Sequence, residues 1–323
     1  MDVALLDALP DHVRTELARR GVELPAVAGL IDADPDEPVL LTGSYASGEF
    51  NPTSDLDVLV LTRHPRTRRV PGTVNHPSIF GDSFDGLVAD LPVNIEYVAE
   101  GRLEDLGHVT RTVTDGGQVD LPNLQGLELR LAQRVHSGIP LAGAEHLDRL
   151  RRLVDIEVVR ASAAALAFVG AMSLLEDTTV LESPARELML RGSAEALLMS
   201  GVNAFGRITH DGKHLMRRAA ALAGAPGAPA LFAQRERLLF VDRLPQREAQ
   251  ELVLDLAQEL YASFPDERCP ALVIDMLAPF RESWAWAGRP VLSGSTGQTG
   301  QTGPTGLTGP TGQTGPTGLT GRG

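Results

Sequence analysis

Two short apolar runs, Pro38 to Thr42 and Leu56 to Thr62, constrain this chain more than any other feature, because the residues between them are polar and turn-forming. Runs of that length read as buried strands. The connection GSYASGEFNPTSD leaves the first run at Gly43-Ser44 and enters the second through Ser54-Asp55-Leu56-Asp57. Side chains alternate along a strand, so Asp55 and Asp57 project from one face while Leu56, Val58 and Val60 enter the core on the other. A third run, Leu91 to Val98, carries Glu96 between apolar Ile95 and Tyr97. Pairing it beside the second run places Glu96 next to the two aspartates.

Adjacent carboxylates repel unless a cation lies between them, and hard oxygen donors at this spacing suit Mg²⁺ bridging to substrate phosphates. With Glu96 as a third carboxylate the set suits two Mg²⁺ ions, one at an acceptor oxygen and one at a triphosphate and its pyrophosphate leaving group. Gly43 lets the backbone approach a ligand closely, and the N–H groups after it, with the Ser44 hydroxyl, can hold phosphate oxygens. Asp-Leu-Asp alone reads better as a solvated strand edge, and an ordinary surface glutamate is the lesser reading of Glu96. The combination of strand, Gly-Ser, eleven-residue step and aspartate pair points to chemistry.

Gly43-Ser44 followed by Asp55-Leu56-Asp57 resembles the signature of the polymerase-β-type nucleotidyltransferase superfamily, over residues 38 to 98. The resemblance implies that Gly43, Ser44 and Ser54 hold a nucleoside triphosphate, ATP in our reading, and that Asp55, Asp57 and Glu96 bind two Mg²⁺ ions. The stretch GSYASGEFNPTSDLDVLV is similar to the small-molecule branch, which includes aminoglycoside nucleotidyltransferases and the minimal nucleotidyltransferases of toxin–antitoxin pairs. The implied reaction moves AMP to a hydroxyl of a small-molecule acceptor. The alternatives are a protein-modifying enzyme acting on a partner such as a toxin, and a non-catalytic assembly protein.

The fold class expected is α+β: a small mixed sheet with helices, then an all-α domain and a collagen-like or disordered tail. A helix is expected at 11–20, an exposed loop bearing Arg63, Arg66, Arg68 and Arg69 after the second strand, and a catalytic domain over 1–120. Helical spacing governs a second domain over 121–288, with helices at 144–176, 184–201, 211–223, 230–242 and 246–263. From Gly294 to Gly321 every third residue is glycine, so the tail over 289–323 reads as collagen-like triplets, which would trimerise the chain, or as a flexible extension.

Within the second domain Lys213, the chain's single lysine, is expected in the first turn of a helix, where the resemblance implies a triphosphate contact. His210 and His214 are spaced to share a helix face, and Glu187, Glu195 and Asp211 are candidates for the general base. Arg134 and His136 in QRVHSGIPLAG resemble an inter-domain hinge. The chain has 323 residues, 43% of them hydrophobic, enough for two domains. Forty-two acidic against 29 basic residues give net −13, which argues against a broad grip on bulk nucleic acid and suits a cationic acceptor. One cysteine, Cys269, excludes an internal disulfide and a cysteine zinc site. With no signal-like start and no apolar segment read as long enough to span a membrane, the expected location is the cytoplasm.

Overall fold

Strands β1 (Val39–Thr42) and β2 (Leu56–Thr62) form where the apolar runs place them and pair antiparallel, with Thr42 opposite Asp57. The computed structural model describes residues 9–63, 73–77, 81–114, 127–209 and 212–277. Strand β5 (Leu91–Ala99) lies parallel to β2, with Asn94 opposite Asp57 and Glu96 opposite Leu59. Two further strands, β3 (Val74–Pro77) and β4 (Gly81–Val88), extend this side antiparallel, and β6 (Ile139–Ala142) closes the other edge against β1. The result is a mixed six-stranded sheet in the order β3-β4-β5-β2-β1-β6.

Both faces of its centre are covered, which is why β2 is apolar almost throughout. One face, with Val39, Leu41, Val58, Val60, Val93 and Ile95, packs against helices α1 (Asp11–Arg19) and α2 (Leu24–Leu30). The other, with Leu40, Leu59, Leu61 and Val98, packs beneath helices α4 (Gly101–Thr114), α5 (Leu127–Ser137) and α6 (Ala144–Arg151). Between β1 and β2 a single short helix, α3 (Gly43–Ser47), makes the turn.

Strands β3 and β4 were not legible, because Asp and Gly interrupt the alternation in GDSFDGLV. Nor was β6, four residues long and carrying Pro140, as only an edge strand tolerates. The sheet therefore continues to Ala142, beyond the expected boundary at residue 120.

The remaining helices pack around a long pair, α7 (Ile156–Asp177) and α8 (Ala185–Phe205). They are α9 (Leu215–Leu222), α10 (Ala230–Ala233), α11 (Arg235–Leu239), α12 (Gln246–Ser263) and α13 (Arg268–Leu277), with a 3-10 turn at Val241–Arg243. The expected helix over 144–176 breaks before Asp155, whose side chain accepts hydrogen bonds from the Glu157 and Val158 amides at 3.0 and 3.2 Å and caps α7. Released from its charged neighbours by that break, α7 is long and apolar enough to cross a membrane, with mean hydropathy 1.8, contrary to the reading of the sequence. Here 61% of that window is buried, and α7 is the spine of the helical core. Cys269 is buried in the same core, where desolvation pushes its thiol well above the ordinary range. Arg66, Arg68, Arg69, His210, Asp211 and the Gly-X-Y tail lie outside the described residues.

Candidate active site

The turn out of β1 is built around a glycine that no other residue replaces. Gly43 has φ +66°, in the left-handed region, and a Cβ placed on it would stand 2.0 Å from Oδ2 of Asp57. The close approach sets the Gly43-Ser44 backbone against the carboxylate of the neighbouring strand. Asp55, one residue ahead of β2, and Asp57, on it, then line one wall of a cavity of about 460 Å³ together with Gly43, Ser44 and Ser47. Burial pushes the Asp57 carboxyl above its ordinary range, and the charge of Asp55 adds to the effect, while Arg134 opposes it.

The facing wall is helical. Arg130, Gln133, Arg134 and Ser137 recur at the spacing of one face of α5, and all four line the cavity. The C-terminal end of α5 is held by Arg151, whose Nε donates to the Val135 carbonyl at 2.9 Å and whose Nη2 donates to that of Gly138 at 2.7 Å. From this anchored turn Arg134 reaches the sheet. Its Nη2 donates to Asp57 Oδ1 at 3.2 Å, and its Nη1 pairs with Glu96. His136 also faces the cavity, with Nε2 buried and without a hydrogen-bond partner among the described residues. Burial, reinforced by Arg151, lowers its pKa to about 4, so it is a neutral imidazole at pH 7.

The third wall comes from the N-terminal turn of α7, with Ile156, Glu157 and Arg160, and from the segment between α8 and α9, with Arg207, Thr209, Lys213 and His214. The Asn203 side chain ties this segment to α8 by accepting from the Thr209 amide at 2.6 Å. Arg218 on α9 also lines the cavity and grips Glu49, just beyond α3, through two hydrogen bonds of 2.6 and 3.1 Å. Burial works to raise the Glu49 carboxyl, but Arg218 and the Ser47 hydroxyl outweigh it and hold it below its ordinary value. Six arginine or lysine side chains line the cavity against three carboxylates, Asp55, Asp57 and Glu157. The site is thus locally basic in a chain of net charge −13.

Gly43, Ser44, Asp55, Asp57 and Lys213 therefore meet at one cavity, as the motif implies, although Lys213 lies ahead of α9 and not within its first turn. Glu96 stands on the same sheet face, joined to Asp57 through the shared Arg134 guanidinium. It is 5% exposed and does not line the cavity, because β5 sets it between Leu59 and Ser83, one pleat beyond Asp57. Ser54 is 2% exposed, and its hydroxyl accepts from the Asn51 amide at 2.9 Å, shaping the turn ahead of Asp55. Glu187 and Glu195 do not line the cavity, whereas Glu157, which sequence reasoning missed, does. Among the described residues no three His, Cys, Asp or Glu side chains form a ready metal cluster. Arg130, Arg160 and Arg207 were also missed. The polar face of α5 was the available signal for the first, and nothing local marks the other two.

One family comparison agrees with the motif. Residues 29–111 match the family described as nucleotidyltransferase domain, a span that runs from α2 into α4 and includes Asp55, Asp57 and Glu96. Among solved structures, a nucleotidyltransferase-like protein from Exiguobacterium sibiricum 255-15 aligns with 13% identity and a TM-score of 0.35, over 81% of this chain and 89% of that one. A search of curated proteins finds no match.

Proposed function

We propose, from the motif and from the match of residues 29–111 to a nucleotidyltransferase domain, that this chain is a polymerase-β-type nucleotidyltransferase that moves AMP from ATP to a hydroxyl of a small-molecule acceptor and releases pyrophosphate. The observation that carries the reading is one cavity whose sheet wall presents Asp55 and Asp57 and whose helical walls present arginine and lysine. Such a cavity separates the two tasks of the reaction, holding a polyanion and placing negative charge where a cation is needed.

Nucleotidyltransferase domains use a nucleoside triphosphate and a divalent metal. The residues present suit one: two adjacent carboxylates face the cavity, Asp57 is desolvated beside a like charge, and the missing Cβ of Gly43 leaves room at Asp57 Oδ2. We assign Mg²⁺ to Asp55 and Asp57, where it would screen the phosphate charge that repels an incoming hydroxyl. Ser44 and the Gly43 backbone take phosphate oxygens from the sheet side, and Arg130, Lys213 and Arg218 take them from the helical side. The acceptor oxygen then forms a bond to the α-phosphorus as the bridge to the β-phosphate breaks. Glu157, the one cavity carboxylate outside the aspartate pair, is our candidate to receive the acceptor proton. A basic cavity removes the argument for a cationic acceptor that rested on the whole-chain charge. The cytoplasmic location stays part of this reading, supported by the single cysteine.

Pyrophosphate release from each common nucleoside triphosphate, with Mg²⁺ and a panel of hydroxylated acceptors, tests the proposal. Acceptor-dependent release that is lost in Asp55→Ala and Asp57→Ala is the expected result. Metal-dependent nucleotide binding without turnover would redirect the search to a protein acceptor, and absence of nucleotide binding would overturn the assignment.

A further inference from the structure

We infer that Glu96 is the counter-ion of Arg134 and not a metal ligand, and that the Arg134 guanidinium is the resident cation of this site. Glu96 is buried between Leu59 on β2 and Ser83 on β4, on the sheet face that carries Leu40, Leu61 and Val98 as well as Asp57 and Asn94. A buried carboxylate needs a positive charge held against it. Arg134, itself 7% exposed, supplies that charge: it pairs with Glu96, reaches Asp57 at 3.2 Å and projects from a helix end that Arg151 pins. Arg134 lines the cavity and Glu96 does not, so the Glu96 carboxylate is set back from the cavity on the guanidinium that it pairs with. A guanidinium does not give up its proton, so an ion at Glu96 competes with a buried, doubly paired arginine. The three carboxylates therefore divide. Asp55 and Asp57 serve the ion, and Glu96 is a positioning residue that fixes Arg134 and, through it, the Asp57 carboxylate.

The metal arm of this inference rests on the nucleotidyltransferase reading, and the ion-pair arm does not. The test uses the full chain and four variants: Glu96→Gln, Asp57→Asn, Arg134→Met, and the double variant Arg134→Met/Glu96→Gln. Mn²⁺ affinity is read by electron paramagnetic resonance with a non-hydrolysable ATP analogue, and thermal unfolding is followed in chelator. Glu96→Gln, which keeps the shape and an acceptor for Arg134, is expected to bind Mn²⁺ within about threefold of the parent, whereas Asp57→Asn loses about tenfold or more. In chelator Arg134→Met is expected to lower the unfolding midpoint by about 5 °C or more, and the double variant to recover most of that loss. Loss of Mn²⁺ affinity in Glu96→Gln equal to that in Asp57→Asn would overturn the inference, as would losses of midpoint that merely add. Should Arg134→Met fail to fold, the Mn²⁺ affinity of Glu96→Gln decides alone. Should the parent bind no Mn²⁺, the metal assignment proposed above fails, while the thermal cycle still decides the ion pair.

Discussion

The sheet wall and the helical walls of the cavity are made in opposite ways. On the sheet side Gly43, Ser44, Asp55 and Asp57 come from one turn and the strand it leads into, and register alone brings them together: Thr42 pairs with Asp57, so the turn after Thr42 must pass over that carboxylate. On the helical side Arg130, Arg134, Arg160, Arg207, Lys213 and Arg218 come from α5, α7, the segment after α8 and α9, and only tertiary packing assembles them. The charges differ accordingly: the aspartate pair lies on the local wall, and the assembled one carries all six cations and the single carboxylate of Glu157. Chemistry that needs fixed geometry sits on the rigid sheet, and chemistry that needs only positive charge is spread over helices, where a lost contact is partly covered by its neighbours.

If that contrast holds, damage to the sheet wall is severe and damage to the helical walls graded. The largest effect is expected from Asp57→Asn, which removes a charge from the pair and should lower transfer by about a thousandfold, read as kcat in a steady-state pyrophosphate assay. Gly43→Ala comes next. Its Cβ would collide with Asp57 Oδ2 at a positive φ, at a cost of about 1–3 kcal/mol in backbone strain, so turnover should fall about a hundredfold alongside a lower unfolding midpoint.

A third effect separates the walls by pH. His136 stays neutral in the folded chain down to about pH 4, while in the unfolded chain it protonates near pH 6.5. The unfolded state thus binds more protons between those values, and stability falls as pH drops through that window, by about 2–3 kcal/mol from this group. Asp57 works in the opposite sense in the metal-free protein: its raised pKa means that its contribution is present at low pH and lost as pH rises through that value. Subtracting the profile of His136→Gln from that of the parent isolates the histidine, and a flat difference would contradict its burial. The smallest effect belongs to Lys213→Ala, one cation among six on the cavity, which should raise the KM for the triphosphate about tenfold and leave kcat nearly unchanged. A collapse of kcat there equal to that in Asp57→Asn would end the distinction between the walls.

The same contrast decides what could be read from sequence. Apolar runs at β1, β2 and β5, a Gly-Ser turn and an aspartate pair are local patterns, and the sheet's centre follows from them. Glu96 was placed on the correct strand and face, but the register that sets it opposite Leu59, one pleat from Asp57, is a pairing property that no window of sequence contains. Arg134 was visible as a residue and not as a partner, since its two carboxylates lie 77 and 38 positions away in the chain. Strand β6 was hidden by brevity and a proline, and the cap at Asp155 by the helical residues on both sides of it. Whole-chain charge was the least informative quantity, because net −13 coexists with a basic cavity.

The central claim is that this cavity transfers the nucleoside monophosphate and not a terminal phosphoryl group. The most direct test follows ATP labelled at the α-phosphate in the presence of Mg²⁺ and an active acceptor. The account predicts that label enters the acceptor, that unlabelled pyrophosphate is released in equal amount, and that Asp55→Ala abolishes both. Label retained in ADP while the acceptor gains the γ-phosphate would contradict it.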